Sequence, residues 1–179
     1  MKSDNRKKAG EMQPIPLPER AWQQITTGLV TNLPELDGKT AIAVFVDHLT
    51  KMTHMVPCTK EVTRSQYARL FVDNVFQLHG RPQVIISDRD PRFASKFWDE
   101  LFSLLGTDLR FSTAFHPQAD GQSEVTIRVL ENFLRPYIEH RPSTWVDQLS
   151  LAKFAVNNAV NVNTGYSPFY LNQGIMFSI

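Results

Sequence analysis

Thr40-Ala41-Ile42-Ala43-Val44-Phe45-Val46 contains the longest apolar run of the chain, Ala41 to Val46, and its reading decides the fold. Six apolar residues without alternation suit a central strand covered on both faces, and they are far too few to span a bilayer. Upstream, Ile25–Val30 is a second β-leaning run, joined to the first by the turn-like Leu33-Pro34-Glu35-Leu36-Asp37-Gly38. Downstream, Met52–Val56 reads as a third strand, with Pro57 expected to stop it. Three strands on short turns make an antiparallel meander.

Helices follow. Thr63 with Gln66 three residues later is a capping-box signature, and Tyr67, Leu70, Phe71, Val75 and Leu78 form one apolar stripe ended by Gly80. Val84–Ser87 is a short strand leading directly to Asp88. A helix at about Ser95–Leu105 buries Phe97, Leu101 and Leu104, and Leu109–Ser112 is another short strand. Thr113–Gly121 has Pro and Gly but no period, and reads as a loop. A third helix starts near Gln122, with Pro136 expected to kink it or end it early. Ser143 or Thr144 caps a fourth helix to about Asn158, and the remainder, with Pro168 and Gly174, is short and irregular or weakly helical. Strands in a meander, then alternating helix and strand, then helices, describe a mixed sheet covered by helices.

Composition narrows the function classes. Hydrophobic residues at 42% and charged residues at 21% are ordinary globular values and argue against a disordered or fibrous chain. The net charge of +1 gives no bulk attraction to nucleic acid, so any contact with DNA must come from a local basic cluster. Cys58 is the single cysteine, which excludes an internal disulfide and a cysteine-based zinc site and points to a reducing compartment. Residues 1–20 read as a linker, charged at first and then carrying Pro14, Pro16 and Pro18 in alternation. They contain no apolar stretch resembling a signal peptide, so an intracellular protein is expected, with residues 21–179 as one domain.

Two acids stand out by position. Asp88 follows a buried strand, where a side chain emerges at a sheet edge, and Glu124 lies on the first turn of a helix. The 35 residues between them (89–123) suffice for a helix, a strand and a loop to bring the two carboxylates together as hard ligands for magnesium or manganese. The plainer roles are that Asp88 opens a turn and Glu124 favours a helix N-terminus.

The surrounding words discriminate. Ile86-Ser87-Asp88-Arg89-Asp90-Pro91-Arg92-Phe93 and His116-Pro117-Gln118-Ala119-Asp120-Gly121-Gln122-Ser123-Glu124 resemble the two most recognisable blocks of integrases from gypsy-type LTR retrotransposons. Further matching stretches begin at Pro14, Val46, Leu78, Lys96, Leu105 and Thr164, in the right order along nearly the whole chain. The resemblance implies an RNase H-like α/β fold: a five-stranded mixed sheet, three strands antiparallel and two parallel, with helices on both faces. It implies DNA integration, by 3′-end processing and strand transfer, on a D,D-35-E carboxylate triad holding two Mg2+ or Mn2+ ions. Asp88 matches the second acid and Glu124 the third. It also implies DNA partners (element ends and target), a homodimer or higher oligomer, no membrane, and a nuclear location or one in a cytoplasmic element particle.

The first acid should lie on the first strand, six residues after a tryptophan. Here Trp22-Gln-Gln-Ile25-Thr-Thr-Gly28-Leu-Val puts glycine at that position. A residue without a side chain ligates nothing, so the resemblance implies a catalytically dead or severely impaired core, a pseudoenzyme. Asp47 is the best candidate to substitute, ahead of Asp90 and Asp120. The expected DNA contacts are His116, Gln118, Gln122, Arg128, Lys96 and Arg92, with Lys51 and Arg89 next; solvated surface charge is the plain alternative for the basic residues. Trp22, Trp98 and Trp145 are expected in the core rather than stacked on bases. The Asn157–Asn163 cluster has no role that sequence alone assigns. Full-length relatives carry an N-terminal zinc module and a C-terminal DNA- or chromatin-binding module, neither of which is expected in this chain. A non-enzymatic DNA-binding or self-associating module derived from an integrase is the alternative function.

Overall fold

The computed structural model describes residues 17–87, 101, 114–116 and 121–174, and of residues 87, 114–116 and 121–126 the backbone alone. Five strands form one sheet in the order β3-β2-β1-β4-β5: β1 Gln24–Val30, β2 Ala41–Asp47, β3 Thr53–Cys58, β4 Val84–Ser87 and β5 Ala114–His116. β1, β2 and β3 pair antiparallel, and β4 and β5 add in parallel, as expected.

The central strand is buried throughout, and its side chains divide by parity between two cores. Ala41, Ala43 and Phe45 pack with Tyr67, Ala68 and Phe71 of α1 (Arg64–Phe71). Ile42, Val44 and Val46 pack with Ile127, Leu130, Leu134 and Ile138 of α2 (Gly121–His140) and with Trp145, Leu149 and Ala152 of α3 (Trp145–Asn158). The run lacks alternation because both faces are covered. Leu101, expected on the apolar side of a helix, is buried in the α1-side core; the rest of residues 95–112, Trp98 included, lies outside the described residues. No helix among the described residues is long and apolar enough to cross a membrane.

Several local expectations change. β3 runs through Pro57 to Cys58, because β3 is an edge strand and Cys58, not Pro57, bonds back toward the meander through Thr40 N–H. A proline whose missing N–H would face outward costs the ladder nothing. Ala114–His116, read as loop, is a strand on β4; three residues between Thr113 and Pro117 carry too little pattern to be seen locally.

α1 has both halves of the Thr63–Gln66 capping box. It continues through a π-helical stretch, Val72–Phe76, and a last turn, Gln77–His79, before Gly80 (φ 74). Wider π turns shift the helix phase, so Leu78, expected in the stripe, is 65% exposed. α2 passes Pro136 and runs to His140; Asn132 and Pro136 are exposed there, so the Asn132 carbonyl that loses its N–H partner faces water. Thr144 stands at the N-cap of α3 without capping through its side chain; its hydroxyl accepts from Gln148 Nε2 instead. The remainder includes a short capped helix, α4 (Pro168–Gln173), with Ser167 as N-cap and Gly174 in the left-handed region.

Candidate active site

Register fixes where position 28 points. Gly28 is opposite Val44, between the pairs Thr26–Val46 and Val30–Ile42. Residues directly opposite in a ladder share a face, so position 28 belongs to the face that Val44 shares with α2. Gly28 is buried and has no positive φ, so its backbone is ordinary strand that any L-residue adopts. α2 starts at Gly121, and Glu124 lies in its first turn, three residues before the buried Ile127. Position 28 therefore faces the layer between the sheet and α2, the helix whose first turn carries Glu124.

β4 brings its C-terminal end to the same region: Ser87 is the last rung of the parallel ladder, opposite Thr27. Asp88 follows Ser87 in the chain and lies outside the described residues, as do Lys96, Arg92, Arg89 and Gln118. His116 ends β5 opposite Ile86, and Gln122 is in the first turn of α2, each described by its backbone. Arg128 is exposed on α2, one turn after Glu124. Lys51 departs from expectation. It lies in the turn between β2 and β3 at the end of the sheet where β1 begins, where burial pulls its ammonium pKa down and Asp47 partly offsets the shift.

Asp47 cannot replace the missing acid. It pairs with Ile25, three residues or about 10 Å along β1 from Gly28, and on the opposite face of the sheet. Its carboxylate is already engaged: Oδ1 accepts from Trp22 N–H (2.9 Å) and Oδ2 from the backbone N–H and hydroxyl of Thr50 (2.9 and 2.6 Å). It is fully buried as the anchor of the β2–β3 turn.

Two features escaped the sequence reading. Beneath Gly28, on the α1 side, the Thr27 hydroxyl and the Tyr67 hydroxyl are 2.6 Å apart; Thr27 reaches Val44 C=O (3.0 Å) and Tyr67 reaches Gly28 C=O (3.1 Å). A threonine on the α1-side face of β1 was the available signal. Asn157 has a structural role: its amide accepts from Thr53 N–H (2.8 Å) and donates to Thr53 C=O (2.9 Å), closing the free edge of β3 as a further strand would.

The chain is 40% identical over 168 residues, 94% of its length, to the Tf2-3 and Tf2-4 transposon polyproteins of Schizosaccharomyces pombe. The chain is a homologue of one segment of these retrotransposon polyproteins. It spans 13% of the length of those curated relatives. No family model matches it. Among solved structures, the core resembles the HTLV-2 integrase catalytic core domain in complex with magnesium, at a TM-score of 0.62 and 18% identity, covering 85% of this chain and 97% of that one. The catalytic core domain of BIV integrase gives 0.58 and 19%, covering 86% and 95%. The simian T-cell lymphotropic virus intasome in complex with PP2A regulatory subunit B56 gamma gives 0.62 and 18%, covering 88% and 58%. At these identities the likeness is one of fold, and the RNase H-like class expected from the sequence holds.

Proposed function

We propose that this chain is the core of a retrotransposon integrase, built for 3′-end processing and strand transfer on DNA, and that Gly28 leaves it catalytically impaired. The observation that carries this reading is the placement of position 28: strand backbone of ordinary conformation, on the side of the sheet that α2 covers and at the last rungs before Asp88. An acid belongs at that position, and a hydrogen atom occupies it.

The residues present do not fit a two-ion magnesium or manganese site. Gly28 supplies no ligand, which leaves Asp88 and Glu124 to hold two dications, and Asp47 is spent on the other face. This sequence therefore supports no catalytic step through metal. Asp88 and Glu124 remain the residues assigned to the chemistry. His116, Gln118, Gln122, Arg128, Lys96 and Arg92 are assigned to DNA, because they flank these acids in the chain. The partners proposed are element ends, target DNA and a second copy of the core, in a nucleus or an element particle.

The test restores one carboxylate. Gly28→Asp should gain magnesium-dependent strand transfer, or the easier reverse reaction, by roughly 100-fold or more over the present sequence, which should stay near background. Strong activity with Gly28 in place would overturn the impairment. A second reading, a non-enzymatic DNA-binding or self-associating module, draws on the apolar side chains that α2 and α3 leave exposed: Val129 at 59%, Phe133 at 52% and Leu151 at 66%. Metal-independent DNA binding with a steep salt dependence, and no gain from Gly28→Asp, would favour it.

A further inference from the structure

On the α1-side face of the sheet, opposite to the face of position 28, three chain-distant pieces meet on two histidines. The Nε2 atoms of His54, on β3, and His79, in the turn after the π stretch, are 2.8 Å apart, and the ring centroids are 5.1 Å apart. The difference between those separations equals two imidazole radii, so the nitrogens point at each other along one line. That is the geometry of a hydrogen bond holding a single proton. It is unsuited to a metal, which needs both lone pairs converging on a third point. His79 stacks on Trp22 at 3.9 Å with planes 6° apart. Trp22 in turn donates its indole N–H to Asn172 of α4 (2.9 Å) and its backbone N–H to Asp47 (2.9 Å). Trp22 holds φ at 62°, a left-handed conformation that a bulky residue keeps only when its surroundings impose it. The dyad thereby ties the strand leading into β1 to the last described helix, beside a cleft of about 510 Å³.

We propose that His54, His79 and Trp22 form an acid-opened clasp: the dyad accepts one proton while closed, and a second proton parts it, freeing Trp22 and α4 together. The surrounding charges order the two events. From β2, Asp47 faces His79 and favours its cation, and the Trp22 ring against it does the same. From α3, Lys153 faces His54 and opposes a charge there. Lys51, in the turn, lies beside Asp47. The α4 residues of the cluster, Asn172 and Gln173, are neutral. The first proton therefore sits on His79, which donates a charge-assisted bond to neutral His54. The second must charge His54 against His79 and Lys153 at once. Burial is the largest cause holding His54 down to about 4, and it lowers His79 as well. With both folded pKa values below the ordinary imidazole range, the unfolded chain takes up protons first. The clasp's contribution to stability is complete above about pH 6.5 and is lost as pH falls toward 4.

The test is a histidine-ring and indole NMR titration of the full chain from pH 8 to 3.5. The first step should shift the His79 ring and leave the Trp22 indole N–H in place. The second, with a midpoint near pH 4, should move Trp22 and the α4 amides together. Lys153→Met, on a half-exposed helix position, should raise the second midpoint without unfolding the core. His79→Gln, which keeps a donor toward His54 but cannot titrate, should abolish the first step. Ordinary imidazole titration of both rings, movement of Trp22 in the first step, or an unmoved midpoint in Lys153→Met would each overturn the clasp.

Discussion

Thr27 and Tyr67 have two hydroxyl protons for three buried contacts: Val44 C=O, Gly28 C=O and each other. Only two of the three can form at once, and the 2.6 Å separation of the two oxygens requires that one of them lies between Thr27 and Tyr67. Either Thr27 donates to Val44 while Tyr67 donates to Thr27, or Thr27 donates to Tyr67 while Tyr67 donates to Gly28. Such a chain is coupled. Tyr67→Phe and Thr27→Val should each cost about 1–2 kcal/mol in urea unfolding, and the double variant should cost about 1 kcal/mol less than their sum. Strict additivity would show that the two hydroxyls act independently. The same scale explains why glycine is conformationally tolerated at 28. The β1 backbone there is held from the α1 side, by Tyr67, and needs nothing from a side chain on the α2 side.

Among the elements, the helix from Arg64 to His79 shows how a local signal can be right at one end and wrong at the other. Its start is chemical and short-range: the Thr63 hydroxyl accepts from Gln66 N–H, and the Gln66 side chain accepts from Thr63 N–H. Thr63→Ala should lower stability by about 1 kcal/mol, read as a shift in denaturant midpoint with an unchanged slope; a neutral result would mean the helix start is held by packing alone. Its end depends on the π stretch, which no 3.6-residue periodicity contains. The added residue in that turn brings His79 onto Trp22 and leaves Leu78 at the cleft. α2 makes the converse point. Pro136 is a breaker by composition, yet the helix passes it because Leu134 and Ile138 on either side are buried in the α2-side core.

At the scale of the molecule, the sheet is the wall between two cores, and the α2-side core contains one very large buried side chain. Trp145 is fully buried on the α2 side, with its indole N–H donated to Pro34 C=O at 2.9 Å. Trp145→Ala should cost about 3–5 kcal/mol, a large part of the stability of a domain this size, and should appear as a lowered thermal midpoint or outright loss of the cooperative transition. A loss under 1 kcal/mol would mean that α3 does not anchor that core.

The amino-acid order alone determined the meander, the helix start at Thr63, the strand leading to Asp88, the two acid-bearing blocks and the glycine at the first-acid position, because each rests on neighbours within about ten residues. Only the tertiary structure decided that position 28 faces α2, that Asp47 lies on the other face, that Asn157 closes the β3 edge and that His54 meets His79. Those placements depend on strand register and on contacts between residues 25 to 104 positions apart. A one-residue slip of register would send every side chain of β1 to the opposite face without altering a letter of the sequence.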